Sequence, residues 1–331
     1  MPFAPLIFAT LLSTALTIVA WAVVIWSGFW IYVWIRYFPI VYRLIGETPI
    51  LAAEPTQRLD GGEECEIRTS DGLTLRGTYL KTSLAERRGV IVFCHELNGD
   101  RWNATPYVVD LLAQGYDVFT FDFRNHGASD AVPGLALRPW LSPPDVIDLQ
   151  AAVDYTAARK DADPSGLGLF GISRGAGAAV CVAADDDRVR CVFTDGVYSA
   201  QSTHLHYFIR YIGIYIPYPW ITDNVPHWIY RGFLWAGRKW WGLMNGFRFV
   251  NVDSHARRVR VPTMMVHGER DSMIPVGAAK AFRRCVRAPA KLWIVPKAKH
   301  NGAIFTVPEE YRRRVARFFR LHLARRKSAN R

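Results

Sequence analysis

A serine hydroxyl attacks a carbonyl only when a base removes its proton, and the base needs a third group to fix its tautomer. The 331-residue chain offers residues of each type in settings that suit this work. Gly171-Ile172-Ser173-Arg174-Gly175 follows the apolar run Leu167 to Phe170 and precedes an Ala-rich stretch over 176 to 184. Between a strand and a helix, G-x-S-x-G makes a sharp turn in which the glycines permit crowding, so the hydroxyl projects at a helix N-terminus. Asp271 and His300 each stand shortly after a later apolar run, in Val266-His267-Gly268-Glu269-Arg270-Asp271 and Val295-Pro296-Lys297-Ala298-Lys299-His300. They are the candidate orienting acid and base. Asp195, directly after the run Val189 to Thr194, is an alternative acid.

These residues can meet only if their strands share a sheet edge. Runs at 90–94, 118–123, 167–170, 189–194, 263–266 and 292–295 read as buried strands. Segments 105–114, 144–159, 174–184, 276–286 and 308–323 read as the helices between or after them. Strand and helix in alternation predict an α/β fold with a mostly parallel sheet covered on both faces. Earlier, two alternating runs joined at Asp71-Gly72 predict a hairpin.

With these motifs in the order Ser, Asp, His, the segment from Glu64 to Leu323 resembles the α/β-hydrolase superfamily, in the branch of monoglyceride lipases and serine aminopeptidases. Asp122-Phe123-Arg124-Asn125-His126-Gly127-Ala128-Ser129 resembles the family's D-x-R-G-x-G-x-S stretch. The resemblance implies Ser173, Asp271 and His300 as a triad and an oxyanion hole from the backbone N–H groups of Arg174 and Leu97. Glu96 stands where the family usually has Gly, and so close to a developing oxyanion its carboxylate should point away or find a partner such as Arg101. His95 and His126 are expected to hydrogen-bond loops near the site.

From Met1 to Ile35 no side chain is charged, which exceeds the roughly 20 residues a helix needs to cross a bilayer. Trp26, Phe29, Trp30, Tyr32, Trp34, Tyr37 and Phe38 form an aromatic belt, followed by Arg43 and interrupted by Arg36. Aromatic rings settle at the membrane boundary and short-loop Lys/Arg stay on the cytoplasmic side. Ala20-Trp21-Ala22 offers a signal cleavage site only superficially, because apolar residues continue beyond it and nothing basic precedes it. The expectation is a single-pass anchor with the globular body in the cytoplasm.

Segment 198–250 interrupts the α/β rhythm with fifteen aromatic residues and Arg210, Arg231, Arg238, Lys239 and Arg248 against one acid, Asp223. An insertion between strands lies over their carboxyl ends, where ligands bind, so it is expected to be a cap lying against lipid headgroups. The domain organisation expected is therefore an anchor over 1–45, a first core part over 46–197, a cap over 198–250 and a second core part over 251–331. The last part ends in a basic helix with Tyr311, Val315, Phe318, Phe319 and Leu323 on its packed side. Its arginines should be solvated and attracted to anionic lipid.

Net charge is +12, yet no nucleic-acid motif accompanies it, so nucleic acid is not an expected partner. The five cysteines form no zinc-like spacing and read as reduced and mostly buried. Gly166-Leu167-Gly168-Leu169-Phe170-Gly171 matches GxGxxG by letter, but its glycines fall inside a strand, which excludes a dinucleotide site. His204 and His206 read as an interfacial pair in the cap, since no further metal ligand is indicated. No cofactor and no metal are expected. The expected activity is hydrolysis of a small-molecule or lipid ester, or a thioester, through an acyl-enzyme. A catalytically silent scaffold that binds lipid or a protein, and a peptidase or amidase, are the alternatives.

Overall fold

A computed structural model describes residues 4–46, 57–135, 137–163 and 166–323. The basic residues Arg325, Arg326, Lys327 and Arg331, which follow the terminal helix in the sequence, lie outside the described residues. Eight strands, β1 (Glu63–Arg68), β2 (Thr74–Leu80), β3 (Gly89–Cys94), β4 (Tyr116–Phe121), β5 (Leu167–Ile172), β6 (Val189–Asp195), β7 (Thr263–Gly268) and β8 (Ala290–Val295), form one sheet in the order β1-β2-β4-β3-β5-β6-β7-β8. β2 is antiparallel to β1 and β4; the remaining pairs are parallel. The expected hairpin turns at Gly72, whose φ of 92° requires a residue without a Cβ.

The helices are α1 (Ala4–Gly46), α2 (Thr105–Ala113), α3 (Pro143–Ala158), α4 (Ser173–Asp185), α5 (Ala200–Tyr215), α6 (Pro219–Thr222), α7 (His227–Met244), α8 (Val252–Ala256), α9 (Val276–Cys285), α10 (Ala303–Thr306) and α11 (Pro308–His322). Side chains alternate across the sheet, and the two sets pack separately. Val90, Val92, Leu167, Leu169 and Val192 meet Leu149, Val153, Val180 and Phe282 from α3, α4 and α9. Ile91, Phe93, Phe170, Ile172 and Phe193 meet Tyr107, Val108, Tyr311 and Phe319 from α2 and α11. Helices on both faces explain why the central strands read as unbroken apolar runs rather than alternating ones. β4 begins two residues earlier than its apolar run suggests, because Tyr116 and Asp117 are buried too.

α1 is 43 residues long, about 65 Å at 1.5 Å per residue. By length and composition its Thr10–Gly46 part is long and apolar enough to cross a membrane. Large side chains such as Phe8, Leu12, Trp21, Ile25 and Tyr32 stand exposed, whereas Val41 and Ile45 near its end are fully buried. The last turns pack on α7, where a Cβ at Gly237 would lie 2.7 Å from Val41 Cγ1. Leu234, Trp241 and Phe208 complete that small core. Trp140 Nε1 donates to the Ile45 carbonyl at 3.1 Å and ties the helix end to the loop before α3.

The loop after β4 is held by Arg124. Its guanidinium bonds Asp148 on α3 at 2.6 Å and Asp71 in the hairpin at 2.7 Å, and its own N–H donates to Asp148 at 2.9 Å. Burial pushes the Asp148 carboxyl up to about 6 despite Arg124. Its ionised form therefore opposes folding once the partner is lost. Arg124→Ala should cost about 3–5 kcal/mol near pH 8 by leaving a buried charge unpaired. The penalty should shrink near pH 5, where Asp148 is protonated, and urea unfolding at the two pH values measures the difference.

Candidate active site

Parallel pairing sets the site before any side chain is considered. β3 and β5 are neighbours, with Cys94 opposite Gly171, although the chain visits β4 between them. This is where the strand order reverses and a crevice opens at the carboxyl ends. Ile172 pairs with Asp195, Asp195 with Val266, and Gly268 with Val295, so the loops after β5, β6, β7 and β8 emerge in one row.

At the turn from β5 into α4, Ser173 has a φ of 51°, a conformation that costs a non-glycine residue free energy. The flanking glycines make it feasible. A Cβ at Gly171 would lie 2.7 Å from the Ala176 nitrogen, and one at Gly175 would collide with the carbonyl oxygens of Cys94 and His95. Ser173 Oγ lies 2.8 Å from His300 Nε2, and His300 Nδ1 lies 2.6 Å from Asp271 Oδ2. A proton on Nδ1 donated to the carboxylate leaves Nε2 free to accept from the hydroxyl. Asp271 Oδ1 accepts from the N–H groups of Met273 at 2.9 Å and Ile274 at 2.8 Å, which turns Oδ2 toward the imidazole. Burial opposes ionisation of Asp271, but the His300 hydrogen bond and charge, with His267 and the Ile274 N–H, hold its carboxyl below the usual range. An aligned hydroxyl, imidazole and carboxylate can transfer a proton from the alcohol as it attacks.

Leu97 is buried in the loop after β3, which Gly175 brings against the start of α4. Arg174 is the second residue of α4, so its N–H is one of the helix-terminal donors without an intrahelical acceptor. Its side chain pairs with Asp145 at the start of α3, a partner that sequence reasoning did not single out. His95 Nε2 accepts from the Phe123 N–H at 3.1 Å and His126 Nε2 from the Asn98 N–H at 3.3 Å. Burial lowers both histidines below their ordinary range, which suits these acceptor roles.

Glu96 finds a partner, but it is not Arg101. Its Oε1 accepts from Asn103 Nδ2 at 3.2 Å, while Arg101 bonds Asp122 at 2.6 Å and Glu64 at 3.0 Å. Asp122, sealed against α2's approach segment, is the stronger claimant on Arg101 because it also takes the Arg101 N–H. Glu96 Oε2 has no partner among the described residues, and burial pushes the carboxyl up to about 7.

Asp195 does not bond His300. Its oxygens make no well-formed hydrogen bond among the described residues, and burial pushes its carboxyl up to about 6 although the neighbouring Tyr311 hydroxyl pulls it the other way. His204 is not interfacial but fully buried, with Trp140 at 4.3 Å between ring centroids. Its neighbour His206 is half-buried beside Gly277. Tyr198 was missed as a site residue. Its ring centroid lies 6.4 Å from that of His300, its hydroxyl donates to the Pro139 carbonyl, and with Leu141, Arg174, Gly177, Ala200, Val250 and Val252 it closes over a void on Ser173 too narrow for a water molecule. Its place right after β6 is a signal that could have found it. Ser173 itself is 1% exposed. The five cysteines are free, four of them buried, and none touches the serine–histidine–aspartate chain.

Comparison with known proteins places these residues in context. The sequence matches the alpha/beta hydrolase family over residues 91–317. YfhR, an uncharacterized protein of Escherichia coli O157:H7, is 23% identical over 246 residues, 73% of this chain and 74% of its own. The thiohydrolase aneE of Aspergillus aculeatus is 32% identical over 133 residues, 40% of each chain. A solved esterase of Pyrococcus furiosus shares the fold at 22% identity, with a TM-score of 0.61 covering 83% of this chain and 99% of its own.

The buried Asp195 has a measurable consequence. Its folded carboxyl lies above the ordinary value, so the ionised form opposes folding and stability falls as pH rises through about 6. Asp195→Asn should raise Tm by roughly 2–4 °C near pH 8 and by less near pH 5. Scanning calorimetry at both values tests this, and an equal or negative shift near pH 8 would count against an unpaired charge.

Proposed function

Because this chain belongs to the alpha/beta hydrolase family, we propose that it is a membrane-anchored serine hydrolase cleaving esters or thioesters of apolar acyl chains. The observation that carries this is the hydrogen-bonded chain from Ser173 through His300 to Asp271. Ser173 Oγ attacks the acyl carbonyl carbon as His300 Nε2 takes the hydroxyl proton, and Asp271 steadies the imidazolium. The carbonyl oxygen gains negative charge facing the N–H groups of Arg174 and Leu97. Such donors are worth about 100- to 1000-fold in rate each. The tetrahedral species collapses, the alcohol or thiol leaves with the proton from His300, and the acyl group stays on Ser173. Water then attacks that ester, gives its proton to His300, and releases the acid and the free serine.

Leu141, Val250 and Val252, packed with Arg174 around Ser173, support an apolar acyl group next to the serine. α1, with Arg36 and Arg43 beyond its uncharged run, supports a span with the body on the cytoplasmic side. The aromatic segment 198–250 supports a lipid-facing cap, and the likeness to a thiohydrolase keeps thioesters among the substrates. One observation favours the silent scaffold: Glu96, with an unpartnered oxygen, lies in the loop expected to hold the oxyanion.

Labelling with a fluorophosphonate decides between enzyme and scaffold. The wild-type protein should label and Ser173→Ala should not, whereas a folded protein inert to the probe favours the scaffold. Asp271→Asn should lower kcat by about 10³–10⁴-fold, as loss of the orienting acid does elsewhere. Asp195→Asn should lower it less than tenfold, and the reverse order would make Asp195 the acid. On a panel of esters, thioesters and amides of graded chain length, turnover should rise with acyl length. A preference for short soluble esters would remove the lipid substrate.

A further inference from the structure

A groove of about 770 Å³ runs between the end of α1 and α5, away from the void on Ser173. Ile35, Ile40 and Leu44 line it from α1, and Phe208, Ile212 and Ile214 from α5. Two cations belong to its wall, Arg36 and Arg43. Seven residues apart, they lie two turns along one side of the helix, about 10 Å from each other along the axis. Both are exposed, and neither makes an ion pair with a carboxylate among the described residues. No acidic side chain lines the groove, and Asp223, the single acid of segment 198–250, lies outside it. An apolar groove with two uncompensated cations fits a molecule with a hydrocarbon part and a negative head.

Its position along α1 narrows the choice of occupant. The groove begins at Tyr32, within the aromatic belt that closes the uncharged run, and reaches Leu44. If α1 spans a bilayer, the Ile35 and Ile214 end meets the acyl boundary and the Arg36 to Arg43 stretch meets the headgroups. Tyr37, Tyr211 and Tyr215 add hydroxyls on amphipathic rings at that level.

We propose that this groove binds one anionic glycerophospholipid from the leaflet around α1, with an acyl chain along Ile35, Ile212 and Ile214 and the phosphate between Arg36 and Arg43. The proposal rests on the membrane-anchored reading of α1 but not on hydrolysis at Ser173.

Full-length protein reconstituted in bilayers of phosphatidylcholine with phosphatidylglycerol, then extracted and weighed by native mass spectrometry, tests it. Wild-type protein should retain phosphatidylglycerol over phosphatidylcholine. Arg36→Gln/Arg43→Gln should retain at least roughly tenfold less, the loss expected for two surface cations. Arg36→Lys/Arg43→Lys should keep most of the binding, and Arg68→Gln/Arg260→Gln, remote from the groove, should keep all of it. Ile214→Trp, which fills the groove from α5 without touching a charge, should also lower retention. Unchanged retention in both the Gln pair and Ile214→Trp, or equal retention of the two lipids by the wild type, would overturn the proposal. So would displacement of the lipid by inorganic phosphate, which would mark a site for a soluble anion. Resistance to alkaline carbonate extraction reads the span separately, and protein released by carbonate would take the lipid site with it. Fluorophosphonate labelling in detergent reads Ser173 alone, so failure of the hydrolase would be seen apart from failure of the lipid site.

Discussion

The conformation of a single residue at the β5–α4 turn constrains most of what surrounds it. With φ at 51°, Ser173 can be held only where neighbouring backbone closes in from two sides. That closeness demands glycine at 171, against Ala176, and at 175, against the carbonyls of Cys94 and His95. Because β3 and β5 are hydrogen-bonded neighbours, the same crowding presses the loop after β3 onto the first turn of α4. Cys94 and His95, far from Gly175 in the chain, are brought against it by the contact that orients the serine. The hydrogen-bond chain through His300 and Asp271 then depends on β6, β7 and β8 lying in register beyond β5.

Around this centre lies a shell of buried polar groups that are only partly satisfied. Asp122 gathers Arg101 and the Ala128 N–H, and Arg124 draws α3 and the hairpin together. Glu96 and Asp195, by contrast, keep oxygens without well-formed hydrogen bonds next to the imidazole they both influence. Buried carboxyls with raised affinity for protons cluster at functional sites more than elsewhere, because stability is sacrificed there for a working electrostatic environment.

The sequence carried the strand–helix alternation and the positions of Ser173, Asp271 and His300 relative to strand ends, because both follow from local pattern. It also expected His95 and His126 to hydrogen-bond loops near the site, and both do, since a histidine next to a strand end has backbone N–H groups within reach. It favoured Asp271 as the acid but left Asp195 as an alternative. Both follow strands, and only three-dimensional placement shows that Asp271 meets the imidazole while Asp195 turns toward Tyr311. It offered Arg101 as one possible partner for Glu96, because nothing in the linear order reveals that Asp122 offers a better-bonded site. The basic, aromatic company of His204 suggests an interfacial pair with His206, yet that company folds inward and buries His204 against Trp140. Long-range packing of α5, α7 and the end of α1 has no periodic signature, so the small core around Trp241 was not legible.

That core has a practical meaning for anyone seeking a water-soluble version of the molecule. Val41 and Ile45 sit in the notch at Gly237, and the Ile45 carbonyl holds the Trp140 indole, which in turn packs on Tyr198. A truncated polypeptide beginning after the first helix would bare the flanks of Leu234, Trp241 and Phe208 and leave the Trp140 indole N–H without its acceptor. Such a fragment would carry a sticky seam that reaches, through Trp140 and Tyr198, to the surroundings of Ser173. The first helix is thus better regarded as an internal strut of the α/β body than as a detachable tether.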